Sequence, residues 1–312
     1  MPPSKDAASL LDPGAMPTAV IGEILALLGA AAYGLAGLAI LRGQAAARAD
    51  NGVFLSVAMT AALSLVLWIW AGSVPLRSVF EAANLRPLVY FVLAGLASMG
   101  LGRLTMFRAT VHVGAVRASL LRRLTPVFAI TLAYLFLGET PQISTLLGGA
   151  VILGGVLLYL APARDASRRM PLSGLLVGSA SALFYALSYI LRRMGLEGLP
   201  DAALGTCLGA ISGAVWMLAT VALRPGRGII TLITDRSAWH WLAAVALSAG
   251  QLLQFFALKS ASVAAVSIFG SLEVIFTAVL VVLFQPAETV ARGRLALATM
   301  LTLAGTFLVV TR

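Results

Sequence analysis

The chain has 312 residues, 60% of them hydrophobic and 11% charged, with a mean hydropathy of +0.97. A soluble domain carries about a quarter charged residues, so these values exclude an ordinary soluble fold and place the chain in the membrane class. The net charge of +10 comes almost wholly from arginine, with Lys5 and Lys259 the only lysines, and no polar stretch exceeds a loop, which argues against a nucleic-acid module.

Residues 1–19 are polar, contain Pro2, Pro3, Pro13 and Pro17, and lack a basic n-region and a cleavable apolar core, so they read as a tail and not a signal peptide. Apolar stretches of membrane-spanning length follow at 20–41, 53–72, 87–107, 112–137 and 143–161. A polar linker at 162–171 separates them from a second set at 172–191, 203–223, 238–258, 261–284 and 290–310. Turn residues mark the breaks, among them Asp50-Asn51-Gly52, Gly138-Glu139-Thr140-Pro141 and Gly198-Leu199-Pro200-Asp201. No alternating strand pattern is present. The expectation is an all-α integral membrane protein of ten transmembrane helices: a tail (1–19), a first five-helix half (20–161), a linker (162–171) and a second half (172–312).

Polar side chains inside such spans are costly in hydrocarbon and become functional candidates. Span three ends near Arg103. Span four holds Ser119, Arg122 and Arg123, then Pro126. Arg122 and Arg123 point about 100° apart on a helix and Arg117 lies off to another side, so the three cannot all line one cavity. One of Arg122 and Arg123 is expected to pair with Glu273, the only acid deep in any span, and the other to face a water-filled cavity as a planar fork for a carboxylate. The sequence leaves open which does which, and equally allows both to close salt bridges or snorkel. Pro126 removes a backbone donor and bends its helix, as a hinge or as a fixed kink.

Tyr33 in span one, Tyr185 in span six and Trp216 in span seven have the chemistry to stack on an aromatic ligand or simply to pack. On span eight, Gln251, Gln254 and Phe255 share a face with Leu258. Lipid offers amides no partner, so these face inward, toward a ligand or a neighbouring helix. On span nine, Ser267 and Ser271 share a face with Gly270. Cys207 is the single cysteine, and His112 and His240 have no partner at ligand spacing. HExxH and GxSxG motifs are absent, so no metal, cofactor or catalytic residue is expected.

The two halves repeat. Sliding residues 102–136 onto 250–284 gives ten identities in 35 positions, from Gly102/Gly250 through Ser119/Ser267 to Phe136/Phe284; composition alone would give roughly three or four. Ala32, Ala36, Ile40, Leu41 and Arg42 likewise match Ala182, Ala186, Ile190, Leu191 and Arg192. In this register Arg103 aligns with Gln251, Met106 with Gln254, and Thr125 with Glu273, so polar residues collect at one depth in both halves. Five spans per half is odd, so the second half enters the membrane inverted, a common plan of secondary transporters.

The phrase Leu124 to Tyr159, with Pro126-Val127-Phe128, Leu137-Gly138-Glu139 and the Gly-rich fifth span, resembles the EamA-type domain of the drug/metabolite transporter superfamily. The second copy keeps Leu272-Glu273 but departs at Val274, where Pro is usual, and at Gln285-Pro286, where Leu-Gly is usual. The resemblance implies a ten-helix bundle with a cavity lined by spans one to four and six to nine, most similar in build to the aromatic amino-acid exporter branch. The expected function is a secondary transporter working by alternating access, exporting amino acids, aromatic or neutral. Efflux of cationic drugs is the alternative, and the basic interior argues against it. A non-transporting sensor or an intramembrane enzyme is less favoured. The expected partners are a small carboxylate-bearing substrate and the lipid bilayer, with no nucleic acid. Gly205, Gly209 and Gly213 read as packing within one chain, hence a monomer or weak dimer. The resemblance implies an inner-membrane protein with cytoplasmic termini, although basic residues outside the spans number eleven after odd spans against seven on the other side, which leans the opposite way.

Overall fold

The computed structural model describes residues 18–79, 81–160, 171–223, 229–270, 272–284 and 292–310. Among these residues the secondary structure is helical, without strands. Ten consecutive helical segments result. The first is α1 (Thr18–Gly43) and the second α2 (Val53–Ala71). The third runs from α3 (Leu85–Gly95) through a π-helical stretch (Leu96–Gly102) into α4 (Arg103–Val113). The fourth comprises α5 (Ala115–Leu121), a 3-10 turn (Arg122–Leu124) and α6 (Thr125–Leu137); the fifth is α7 (Ile143–Leu160). The sixth to eighth are α8 (Leu172–Gly198), α9 (Ala202–Ala222) and α10 (Ala238–Ser260). The ninth is split into α11 (Val263–Gly270) and α12 (Glu273–Phe284), and the tenth is α13 (Arg292–Val310).

Among the described residues, eight segments are long and apolar enough to cross a membrane. The fifth and tenth carry shorter apolar runs, Ile143–Gly155 and Ala296–Gly305. The chain is an all-α integral membrane protein. The tail and linker fall outside the described residues except for Thr18, Ala19 and Pro171.

Two helix ends differ from the sequence expectation, and both matter for the site. The third segment runs on through Arg108 to Val113, because nothing breaks the helix before Gly114, whose φ of 87° is a conformation glycine tolerates. The sixth continues past 191 to Gly198, because 192–197 contain no breaker and the stop comes only at Gly198-Leu199-Pro200. Arg192 and Arg193 are therefore helical residues and not loop charges.

Segment one packs against eight and nine, and segment six against three and four; two packs on seven and five on ten. Glycines permit the closest of these approaches. A Cβ at Gly34 would strike Phe276, one at Gly178 would strike Leu121, and one at Gly95 would fall on the backbone of Gly209. Gly205, Gly209 and Gly213 are all spent on such internal contacts, with Phe91, Gly95 and Met99.

Aspartates fasten the loops at both ends of the bundle. Asp201 caps α9 by accepting from Leu204 N–H at 2.9 Å, and its other oxygen accepts from the backbones of Ser73 (2.7 Å) and Val74 (3.1 Å). At the opposite end Asp235 accepts from the backbone N–H groups of Arg48 and Ala49. Nearby, His240 Nε2 meets Asn51 Oδ1 at 3.1 Å. Asp50 caps α2 through Gly52 N–H (3.0 Å) and Phe54 N–H (2.8 Å).

Burial pushes the Asp50 carboxyl up from 3.8 to about 6; the Phe54 and Gly52 N–H groups oppose this, and Asp235 adds to it. Between those two values the folded state holds a proton that the unfolded state has lost. Stability at this end therefore falls as pH rises from about 4 to about 6. Asp50→Asn keeps a capping oxygen without the ionisation. Thermal melts of the detergent-solubilised protein should show a flatter pH dependence over this window for D50N than for wild type; an identical slope would refute the assignment.

Candidate functional site

The fourth and ninth segments each break at the same register of the repeat: the 3-10 turn at Arg122–Leu124 corresponds to the turn at Leu272, whose N–H donates to Phe269 O at 3.1 Å and whose carbonyl accepts from Ile275 N–H at 2.9 Å. Pro126 lies in the first turn of α6, where its missing N–H costs nothing, so it opens a helix and does not kink one. The breaks bring Arg122 and Glu273 face to face. Arg122 Nη1 reaches both carboxylate oxygens, at 2.9 and 2.8 Å, and both side chains are under a tenth exposed. Arg122 Nη1 also contacts the Met106 sulfur at 3.3 Å.

Around this ion pair sit Ser119, Gln254 and Ser267, with Thr125, Tyr189 and Gly270. The two serines, equivalent in the repeat, each turn their hydroxyl back to the carbonyl three residues earlier, Val116 (2.9 Å) and Ala264 (2.8 Å). Gln254 Oε1 is buried without a hydrogen-bond donor. The free space among these groups is about 10 Å³, room for about one water.

Aromatic faces flank the same guanidinium. The Arg122 carbon lies 4.6 Å from the Tyr185 ring centre and 4.9 Å from that of Tyr33. Behind Tyr33 stands Gln251. Arg192 offers it only donors, so its amide oxygen accepts from both terminal nitrogens of Arg192 and its nitrogen donates to the Tyr33 hydroxyl at 3.1 Å. Arg192 also donates to Ser98 Oγ at 2.6 Å and lies 4.8 Å over the Phe255 ring. Phe255 in turn meets Phe91 edge to face, with centroids 5.8 Å apart.

Arg103 follows the π-helical stretch and is fully buried. Its Nη1 donates to Ser56 O (2.8 Å), Ser56 Oγ (3.3 Å) and Thr60 Oγ1 (3.1 Å), and Thr60 meets Ser248 at 2.9 Å. Its Nε and Nη2 have no hydrogen-bond acceptor.

The structure thus gathers Arg103, Arg122, Tyr33, Tyr185, Gln251, Gln254, Phe255, Ser119, Ser267 and Glu273 into one connected polar core. It sets Arg123 apart. That residue was the alternative partner for a cavity, but it is fully buried and donates to Ala298 O at 3.0 Å and to Thr302 Oγ1, tying the fourth segment to the tenth. Trp216 also lies elsewhere, on a cavity at one end of the bundle. Ser271 lies outside the described residues. Sequence reasoning missed Arg192, along with Ser56, Thr60 and Ser98 that seat the arginines. The alignment of Arg192 with Arg42 in the repeat was the one available signal.

Among the described residues the segments bury four guanidiniums, Arg103, Arg122, Arg123 and Arg192, at 0–7% exposure, against one buried intramembrane carboxylate, Glu273. Each of the four retains at least one N–H without an acceptor. Uncompensated buried charge costs several kcal/mol per ion. Such an arrangement stabilises an anion placed among the forks, and repels a cation.

Residues 20–161 match the EamA-like transporter family. A stretch of 95 residues is 30% identical to the "Uncharacterized transporter YdfC" of Bacillus subtilis (strain 168); it covers 28% of this chain and 31% of that one, so the match spans about a third of the relative's length. A protein of known crystal structure superposes with a TM-score of 0.67 at 17% identity, over 95% of this chain and 98% of its own. At that identity the likeness is one of fold.

Proposed function

We propose that this chain, which belongs to the EamA-type transporters of the drug/metabolite transporter superfamily, exports small carboxylate-bearing metabolites, in particular aromatic or neutral amino acids, by alternating access. One observation carries the reading: the core buries an excess of guanidinium forks with unfilled donors, stacked on tyrosine and phenylalanine rings. The forks suit the carboxylate and the rings suit an apolar side chain. The same excess of positive charge disfavours cationic drugs as cargo.

The packing supports two inverted halves. Exchanging each segment for the one five positions away maps the contacts of one with eight and nine onto those of six with three and four. Segments two and seven pair with each other, as do five and ten. The breaks at Arg122–Leu124 and at Leu272 coincide under the same exchange, and discontinuous helices at a repeat interface are where such carriers bind their cargo. With room for about one water beside Arg122 and Glu273, this conformation is closed around the core, and loading requires the halves to move apart.

Counterflow into proteoliposomes tests the reading. Labelled phenylalanine should exchange against internal phenylalanine, whereas phenethylamine, the same ring without the carboxylate, should neither exchange nor compete. Equal exchange of the amine, or no exchange of any aromatic, neutral or acidic amino acid, would contradict it.

A further inference from the structure

We infer that the open cavity bounded by the third and seventh segments and the loop after the first is a second binding site, a surface-facing stop for apolar or aromatic carboxylates, held by Arg48 and Arg108. The inference rests on the reading of the buried forks as an anion site, and supplies that site with an approach.

The cavity measures about 600 Å³, within the usual range for small-molecule sites. One face of α4 forms a wall: Leu104, Phe107, Arg108 and Val111 follow at helical spacing. Trp216 on α9 and Arg48 from the first loop face this wall, with His112 and Thr220 among the other lining residues. Both arginines are exposed, and among the described residues neither forms an ion pair. The one carboxylate of the lining, Asp50, is committed to the N-terminus of α2. The lining therefore pairs two unpaired guanidiniums with the rings of Trp216 and Phe107, the same fork-and-ring chemistry found in the core.

Arg103 lies one helical turn beneath Phe107 on the same helix face, and five residues, about 7.5 Å of helix, below Arg108. Its unfilled Nε and Nη2 are buried. An anion released inward from Arg48 and Arg108 would next meet Arg103, and beyond it Tyr185, which neighbours Arg103 and stacks on Arg122. The arginines form a descending series from the rim to the core.

The test is equilibrium binding of labelled 3-phenylpropionate to the purified full chain in lipid nanodiscs. Wild type should bind two molecules per chain. Arg48→Gln with Arg108→Gln should weaken one site at least about tenfold and leave the other, and Arg192→Met should do the reverse. Because both rim arginines are exposed, the double variant should melt as wild type does. Arg108→Glu should weaken the rim site further than Arg108→Gln, which a loss of packing alone would not do. If the double variant binds both molecules as wild type does, or wild type binds none, the inference is overturned. A single wild-type site lost only in Arg192→Met overturns it too. A single site lost only in the rim variant upholds the inference and instead removes the reading of the core.

Discussion

Arg122→Met or Glu273→Leu alone is expected to cost the fold about 3–5 kcal/mol, and the two together to return most of it. The pair is buried on both sides, with Arg122 Nη1 on both carboxylate oxygens. Removing either member leaves a charge in low dielectric with no counter-ion. Glu273→Leu would strand Arg122 beside Arg123, with only the rings of Tyr33 and Tyr185 as partial compensation. Arg122→Met would strand Glu273, whose remaining neighbours are Gln254, Tyr189 and the more distant Arg123. In the double variant, methionine and leucine fill the volume without charge, and such replacements of a buried pair are often neutral or stabilising. Thermal melts of the four proteins in detergent measure this. Strictly additive losses would show that the pair is not coupled as the geometry requires. The double variant should fold and yet not transport.

Arg192→Met is expected to separate stability from transport even more sharply. Among the described residues Arg192 has no acid partner in the core; it is held by Ser98, by the Gln251 amide and by the face of Phe255. Removing its charge relieves an uncompensated buried cation, while leaving Ser98 and Gln251 short of a donor costs about 1–3 kcal/mol. The two effects offset, so the melt should move little. Transport should fall roughly 10- to 100-fold, because a charge-assisted fork to the ligand is lost.

Much of the architecture is legible in the sequence, and the reasons are physical. Hydrocarbon demands long apolar runs, so the ten helical segments stand out as hydropathy. The repeat places Ser119 with Ser267 and points to the depth at which Gln251 and Glu273 meet the arginines, with Gln254 beside them. The helix ends were harder. Arg192-Arg193 after an apolar run looks like the start of a loop, yet the helix continues because a buried guanidinium there finds Ser98, Gln251 and Phe255 from other segments. Likewise the choice between Arg122 and Arg123 rests on a 3-10 turn that aims one at Glu273 and the other at Thr302, a difference no periodicity carries. Ser56 and Thr60 are silent in sequence, because a hydroxyl in an apolar helix satisfies itself on a preceding carbonyl, as both do here.

The central claim is that the buried forks exist for a carboxylate. Counterflow of labelled phenylalanine into proteoliposomes holding wild type or Arg192→Met, with melts recorded on the same preparations, tests it most directly. The account predicts exchange by wild type and its loss in a variant that melts within a few degrees of wild type. Exchange at the wild-type rate by a folded Arg192→Met protein would contradict it.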